Sequence, residues 1–159
     1  PYPGGPLIDK NAKLGDETKF KFNKPQIDGF NYSFSGLKTS ILYFLQKQTK
    51  EDPAFIEKEL THLCASIQKT IIDILFDKLI KVAKHYGINQ IAIAGGVSAN
   101  SGLRERLQKE GENRNWTVFI PNFEYCTDNA AMIGITAYYH YLKNEFVGQS
   151  ITVDPRLKM

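Results

Sequence analysis

The chain has 159 residues, enough for one domain burying roughly 70% of its unfolded surface and too few for two. With 42% hydrophobic and 23% charged residues it has the composition of an ordinary globular protein, which excludes disordered and fibrous classes, and no apolar run reaches the roughly 18 residues of a membrane span. The formal charge of +3 permits a polyanionic partner without requiring one.

The N-terminal stretch PYPGGPLIDK lacks the basic and apolar regions of a signal peptide, so a cytoplasmic protein without membrane contact is expected. PYPGGP also reads like the middle of a loop, and the expectation is a fragment of a longer protein. Residues 1–31, rich in Pro, Gly, Asn and Lys, predict an irregular arm with one short strand over Lys19–Phe22. Residues 32–159 then form a single α/β lobe. At its start FNYSFSG alternates Phe30, Tyr32 and Phe34 with polar residues, the period of a half-buried strand, and Ser35 is placed to N-cap the helix that follows. Leu37, Ile41 and Leu45 give that helix, about 36–48, one apolar stripe.

From Asp52 to Gly87 the helix signals are strong at both ends: Asp52 as N-cap, Pro53 at the first helical position and Gly87 as the stop. Because one helix of that length is unusual, a break near Glu57–Leu60 is expected. Ile67, Ile71, Ile74, Leu75, Leu79 and Val82 form its core face. NQIAIAGG predicts a strand buried on both faces, 100–109 a helix, WTVFIP a second strand, and 128–143 a last helix. The order β-α-α-β-α-β-α belongs to the α/β class with mostly parallel strands. Cys64 and Cys126 have neither disulfide nor zinc spacing and are read as free thiols.

Chemistry is expected where the strands end. In an open α/β sheet, ligands sit outside the carboxyl ends of strands. Gly95 and Gly96 lie at such an end, where a missing Cβ lets a ligand lie against the backbone while Ser98 and Asn100 hydrogen-bond it; a tight strand-to-helix turn explains the glycines equally well. No GxGxxG or GxxxxGK[ST] is present. In YCTDNAAMIG, Asp128 is either an N-cap or a carboxylate facing the same sheet end. His62, His85 and His140 form no HxxxH or HExxH pair and are assigned to surface or helix packing.

YPGGPLIDK, YSFSGLKTS, IAGGVSANSGLRERL and YCTDNAAMIG, in that order and spacing over nearly the whole chain, resemble the C-terminal half of the TsaD (Gcp) family, once described as O-sialoglycoprotein endopeptidases. The resemblance implies the second lobe of the fold shared by actin, Hsp70 and sugar kinases, incomplete because its first half is absent. It implies transfer of threonylcarbamoyl from threonylcarbamoyl-AMP to the exocyclic amine of the adenosine beside the anticodon, in tRNAs reading codons that start with A. On the matching positions, Gly95 and Gly96 are the adenosine-binding turn, Asn100, Gly5 and Asp9 contact the nucleotide, and Asp128 is a ligand to iron or zinc.

The two histidine ligands of that metal belong to an HxxxH motif that these residues lack, and the tail VDPRLKM carries Asp154 where the family often has Arg. Partners implied are tRNA and TsaB-type and TsaE-type proteins. The fragment alone is expected to be inactive and to self-associate. Two alternatives are a metalloprotease, which would need a general base such as the Glu of HExxH, and a non-catalytic actin-like nucleotide-binding scaffold.

Overall fold

A computed structural model describes residues 3–25 and 27–152. Five helices and two strands follow one another as α1 (Gly4–Ala12), α2 (Leu37–Glu51), α3 (Phe55–Tyr86), β1 (Gln90–Ala92), α4 (Ser101–Arg114), β2 (Thr117–Phe119) and α5 (Ala130–Leu142), with 3-10 turns at Gly96–Ala99 and Phe123–Tyr125. The two strands pair in parallel, Ile91 opposite Val118, so β1, α4 and β2 form a βαβ unit. The class is mixed α/β, helix-rich with a small parallel sheet.

The helix α3 runs unbroken for 32 residues, and the break expected near Glu57–Leu60 is absent. No Gly or Pro interrupts Phe55–Tyr86, and this segment is held from outside by the arm: His62 Nδ1 accepts the Asp16 N–H at 2.8 Å and Lys19 pairs with Glu59. Gly87 ends the helix in the left-handed conformation at φ 65°, as its sequence signal predicts. At the start, Asp52 stands two residues before the N-cap, where its Oδ1 accepts from Ala54 N and its Oδ2 pairs with Lys58.

Two apolar clusters use different faces of α3. On one side Phe22, Leu37, Leu63 and Ile74 are buried together, with Phe20, Phe44 and Phe55 meeting edge to face at 5.3–6.0 Å. On the other, Phe76, Ala83, Ile91, Leu103 and Leu107 join α3 to the βαβ unit, with Trp116 and Val118 packed against them. The single stripe read from the sequence therefore divides: Ile67, Ile71 and Ile74 serve the first cluster, Leu75 and Leu79 the second.

Several expectations fail locally. The arm is not irregular throughout, since Gly4–Ala12 is a helix packed on α3. Neither Lys19–Phe22 nor Phe30–Phe34 is a strand; Phe30 instead stacks on His85 and Tyr86 at 5.0 and 5.6 Å, and a strand needs a ladder partner that the described residues do not offer. β1 is covered on one face only, with Ile91 buried and Gln90 and Ala92 exposed. Ser35 makes no cap; Gly36 occupies that position at φ 81°. The segment with Asp154 lies outside the described residues.

Arg104 of α4 ties the two strand exits together. Its Nε donates to Ser98 O at 2.6 Å, after β1, and its Nη2 donates to Pro121 O at 2.6 Å, after β2. Phe123 stacks 4.0 Å from the guanidinium, and the buried Cys126 Sγ lies 3.2 Å from Nη2. Farther along α4, the buried Glu110 is held between Arg106 and Arg114 at 2.8 and 2.7 Å. Burial opposes its ionisation, but the bonds from Arg114 and Arg106 outweigh burial and hold its pKa below the ordinary glutamate value.

Two predictions follow from α4. Replacing Arg104 with Ala should lower unfolding stability by about 2–3 kcal/mol, because two partly buried carbonyls lose a charged donor. Lys in its place should recover less than half, since a point charge cannot serve both carbonyls, and urea denaturation measures both. Glu110 has a depressed folded pKa, so its contribution is present above about pH 4.5 and is lost as pH falls through the folded value. The stability gap between the native chain and Glu110→Gln should therefore close on acidification; a gap that widens toward low pH would overturn the pairing.

Candidate nucleotide site

At the end of β1 the chain turns through Gly95, whose φ of 75° and ψ of 179° suit glycine alone. That conformation accounts for the first glycine. Gly96 has no such requirement, and a Cβ built on either glycine would meet nothing within 4 Å, so a tightly packed neighbour is not the reason for the pair. Ser98 is buried and its hydroxyl turns back to donate to Gly95 O at 2.7 Å, which fixes the turn and withdraws Ser98 from the ligand-binding role the sequence suggested.

Facing this turn is the segment after β2. Gly95, Gly96, Tyr125, Thr127, Asp128 and Met132 line a cavity of about 440 Å³. Asp128 is not the N-cap of α5. That role falls to Asn129, whose side chain accepts from Met132 N at 2.9 Å, and among the described residues no hydrogen bond or ion pair takes up the Asp128 carboxylate. The cavity thus has a bare backbone on one wall, an aromatic ring and a thioether on another, and an exposed carboxylate and hydroxyl at the rim. Such a mixture of flat apolar surface and a few polar groups suits a small polar molecule with an aromatic part.

Asp9 and Asn100 are linked through Gln68 at the start of α4, on a second cleft, of about 610 Å³, that Gln68, Ser101 and Gly102 line. Asn100 is the N-cap of α4: its Oδ1 accepts from Leu103 N at 2.9 Å. Its Nδ2 donates to Gln68 Oε1 at 2.8 Å. Asp9, reaching across from α1, accepts from Ser101 Oγ at 2.8 Å and Gln68 Nε2 at 3.1 Å on Oδ1, and from Ser101 N at 3.1 Å on Oδ2. Burial disfavours its charge, but the donors from Ser101, Gln68 and Gly102 outweigh burial and set its pKa below the usual aspartate value. Gly5 precedes Asp9 by one helical turn on the exposed side of α1 and lines neither this network nor the cavity.

Sequence reasoning named Asp9, Asn100, Gly95, Gly96 and Asp128, and it missed Gln68, Ser101, Arg104 and Tyr125. Gln68 sits on a long helix with no local pattern that sets it apart. The second cleft lies between α1, α3 and α4, but its Lys69 and Arg106 are already committed to Glu17, Asp73 and Glu110.

As for a metal, no group of three His, Cys, Asp or Glu side chains suited to hold one occurs among the described residues. His62 is engaged by Asp16 N, His85 stacks on Phe30, and His140 meets Glu145, so none stands with Asp128. These residues do not by themselves make the iron or zinc site that the resemblance implies; Asp128 supplies one oxygen at most. Among the described residues no helix is long and apolar enough to cross a membrane.

Comparison with known proteins gives the family. Residues 1–135 match the family model described as TsaD: tRNA N6-adenosine threonylcarbamoyltransferase. Curated relatives bear that same name: one from Christiangramia forsetii is 60% identical over 99% of the chain, one from Cytophaga hutchinsonii 53% over 100%, and one from Thermosipho africanus 47% over 99%. The chain spans only 46–47% of the length of these relatives. It belongs to the TsaD family of tRNA N6-adenosine threonylcarbamoyltransferases.

Proposed function

We propose that this chain supplies the nucleotide-holding part of an enzyme that transfers threonylcarbamoyl from threonylcarbamoyl-AMP to N6 of an adenosine in tRNA. The observation that carries the reading is the cavity walled by Gly95, Gly96 and Asp128; the Asp9–Gln68–Asn100 network stands at the start of the helix that follows the same turn. In the reaction the adenosine N6 attacks the carbamoyl carbon, a C–N bond forms, the C–O bond to phosphate breaks, and AMP departs with the bonding pair while N6 gives up a proton. The exocyclic amine is a weak nucleophile, so the rate depends on holding the anhydride still and in line.

This chain's residues are suited to that holding. The backbone at Gly96 accepts close approach of the adenylate, the Tyr125 ring and Met132 offer flat apolar surface to a base, and Asn100 and Asp9 retain hydrogen-bonding capacity for ribose hydroxyls. Asp128 is assigned as one metal ligand, with the remaining donors on the part of the relatives that this chain does not span. The same part would complete the second lobe of an actin-like fold and supply the surfaces for tRNA and for TsaB-type and TsaE-type partners.

The helix α5 favours such a complement. None of its residues is buried, and Met132, Ile133, Ile135, Tyr138, Tyr139 and Tyr141 are all exposed. An apolar surface of this extent on a helix is covered in a finished protein.

Three outcomes test the reading. In the full-length enzyme, Gly96→Val should lower kcat/KM for threonylcarbamoyl-AMP at least tenfold by filling the wall of the cavity, about 1.4 kcal/mol of transition-state binding. The isolated chain, given tRNA, threonylcarbamoyl-AMP and a divalent metal, should form no modified adenosine, and robust turnover would sink the need for the other half. By light scattering the isolated chain should grow in mass with concentration as α5 finds another surface; a strict monomer throughout would show that α5 needs no cover.

A further inference from the structure

Resting on the nucleotide reading above, we infer that Gln68 is a positioning residue that sets the Asp9 carboxylate and the Asn100 amide in register for the ligand. The geometry is specific. One amide side chain serves both residues, with Nε2 donating to Asp9 Oδ1 at 3.1 Å and Oε1 accepting from Asn100 Nδ2 at 2.8 Å. Asp9 and Asn100 are 91 positions apart in sequence, on α1 and just before α4; Ser101 ties Asp9 to the start of α4, and Gln68, from α3, bonds both residues directly.

The bridging also decides what each partner has left to offer. Asn100 Oδ1 accepts the cap of α4 and one Nδ2 hydrogen goes to Gln68, so one N–H remains as a donor. Asp9 Oδ1 holds two donors, Ser101 Oγ and Gln68 Nε2, while Oδ2 is bonded to Ser101 N and the Gly102 N–H also favours the charged carboxylate, so Oδ2 is the less occupied oxygen. The result is one Asn100 donor beside acceptor oxygens of Asn100 and Asp9, all in fixed directions. A pair of adjacent sugar hydroxyls, each able to donate and accept, has the chemistry to meet them.

A second observation, independent of these bonds, supports a built site. The second residue of α4 is Gly102, a type that costs a helix interior about 1 kcal/mol relative to Ala. Its φ lies outside the left-handed region, so conformation does not explain it, but an added Cβ would stand 2.7 Å from Gln68 Nε2 and 3.1 Å from Ile72 Cδ1. The helix keeps a glycine where the Gln68 amide passes.

The test uses the full-length enzyme with four variants: Gln68→Leu, which removes both bonds; Gln68→Glu, which keeps the acceptor for Asn100 but sets a carboxylate against Asp9; Gly102→Ala, which displaces the amide without altering it; and Asn100→Ala as the check on the nucleotide reading. KM for threonylcarbamoyl-AMP should rise about tenfold in Gln68→Leu and Gly102→Ala, and more in Gln68→Glu, with kcat within about twofold of the parent. AMP affinity by calorimetry should fall in parallel. A purely structural role would instead lower the melting temperature and the active fraction, hence apparent kcat, and leave KM alone; that pattern overturns the proposal. If Asn100→Ala raises KM and all three substitutions at Gln68 and Gly102 do not, the nucleotide reading stands and the positioning role is wrong. If Asn100→Ala also leaves KM and AMP affinity unchanged, the nucleotide reading fails and takes the positioning role with it. Should Gln68→Leu not fold, Gly102→Ala and Gln68→Glu decide the matter by the same criteria.

Discussion

One helix governs the rest of the architecture. Because α3 runs 32 residues without a break, it reaches from the aromatic cluster around Phe20, Phe44 and Phe55 to the βαβ unit, and both apolar clusters are built on it. The helix α1 packs along it, α4 crosses it, and Gln68 projects from it to the junction of the two. Intrinsic helix propensity does not hold a helix of this length in one piece; packing of its faces does. A substitution that bends α3 would therefore move the two cores relative to each other and pull the Gln68 bridge apart with them.

Within that frame the site is assembled from two loops whose separation is fixed by a single side chain. Arg104 holds the carbonyl of Ser98 on one loop and that of Pro121 on the other, and Phe123 closes over its guanidinium. A lysine ammonium would offer hydrogen bonds without the planar fork that spans both loops. The sheet contributes only three paired residues per strand, so the spacing between the Gly95–Gly96 turn and Asp128 depends on this clamp more than on the ladder.

Much of this was legible in the sequence because the signals are local. The periodic apolar residues of α2 and α3, Gly87 as a helix stop, and the strand–helix–strand pattern from Gln90 to Phe119 are each written within a few residues of where they act. The helix α1 was hidden by its own start: Gly4, Gly5 and Pro6 look like loop, yet proline in a first turn costs no hydrogen bond, since those N–H groups have no intrahelical partner. The strand expected over Phe30–Phe34 has the right alternation, but alternation specifies a face and not a partner. Gln68 was invisible for a related reason. Its role is defined by residues 59 positions before it and 32 after it, and nothing within a helical turn announces that.

The two glycines of the turn separate two kinds of constraint that look alike in sequence. Gly95 is required by its own backbone angle, a property the chain must satisfy whether or not anything binds. Gly96 is required by neither angle nor neighbour, and a glycine without a structural duty carries an entropic cost with no return inside the fold. Gly102 is the contrasting case, where the return is visible as the Gln68 amide occupying the space of the missing Cβ. By the same comparison, no neighbour among the described residues accounts for Gly96, which stands bare on the wall of the cavity beside Asp128.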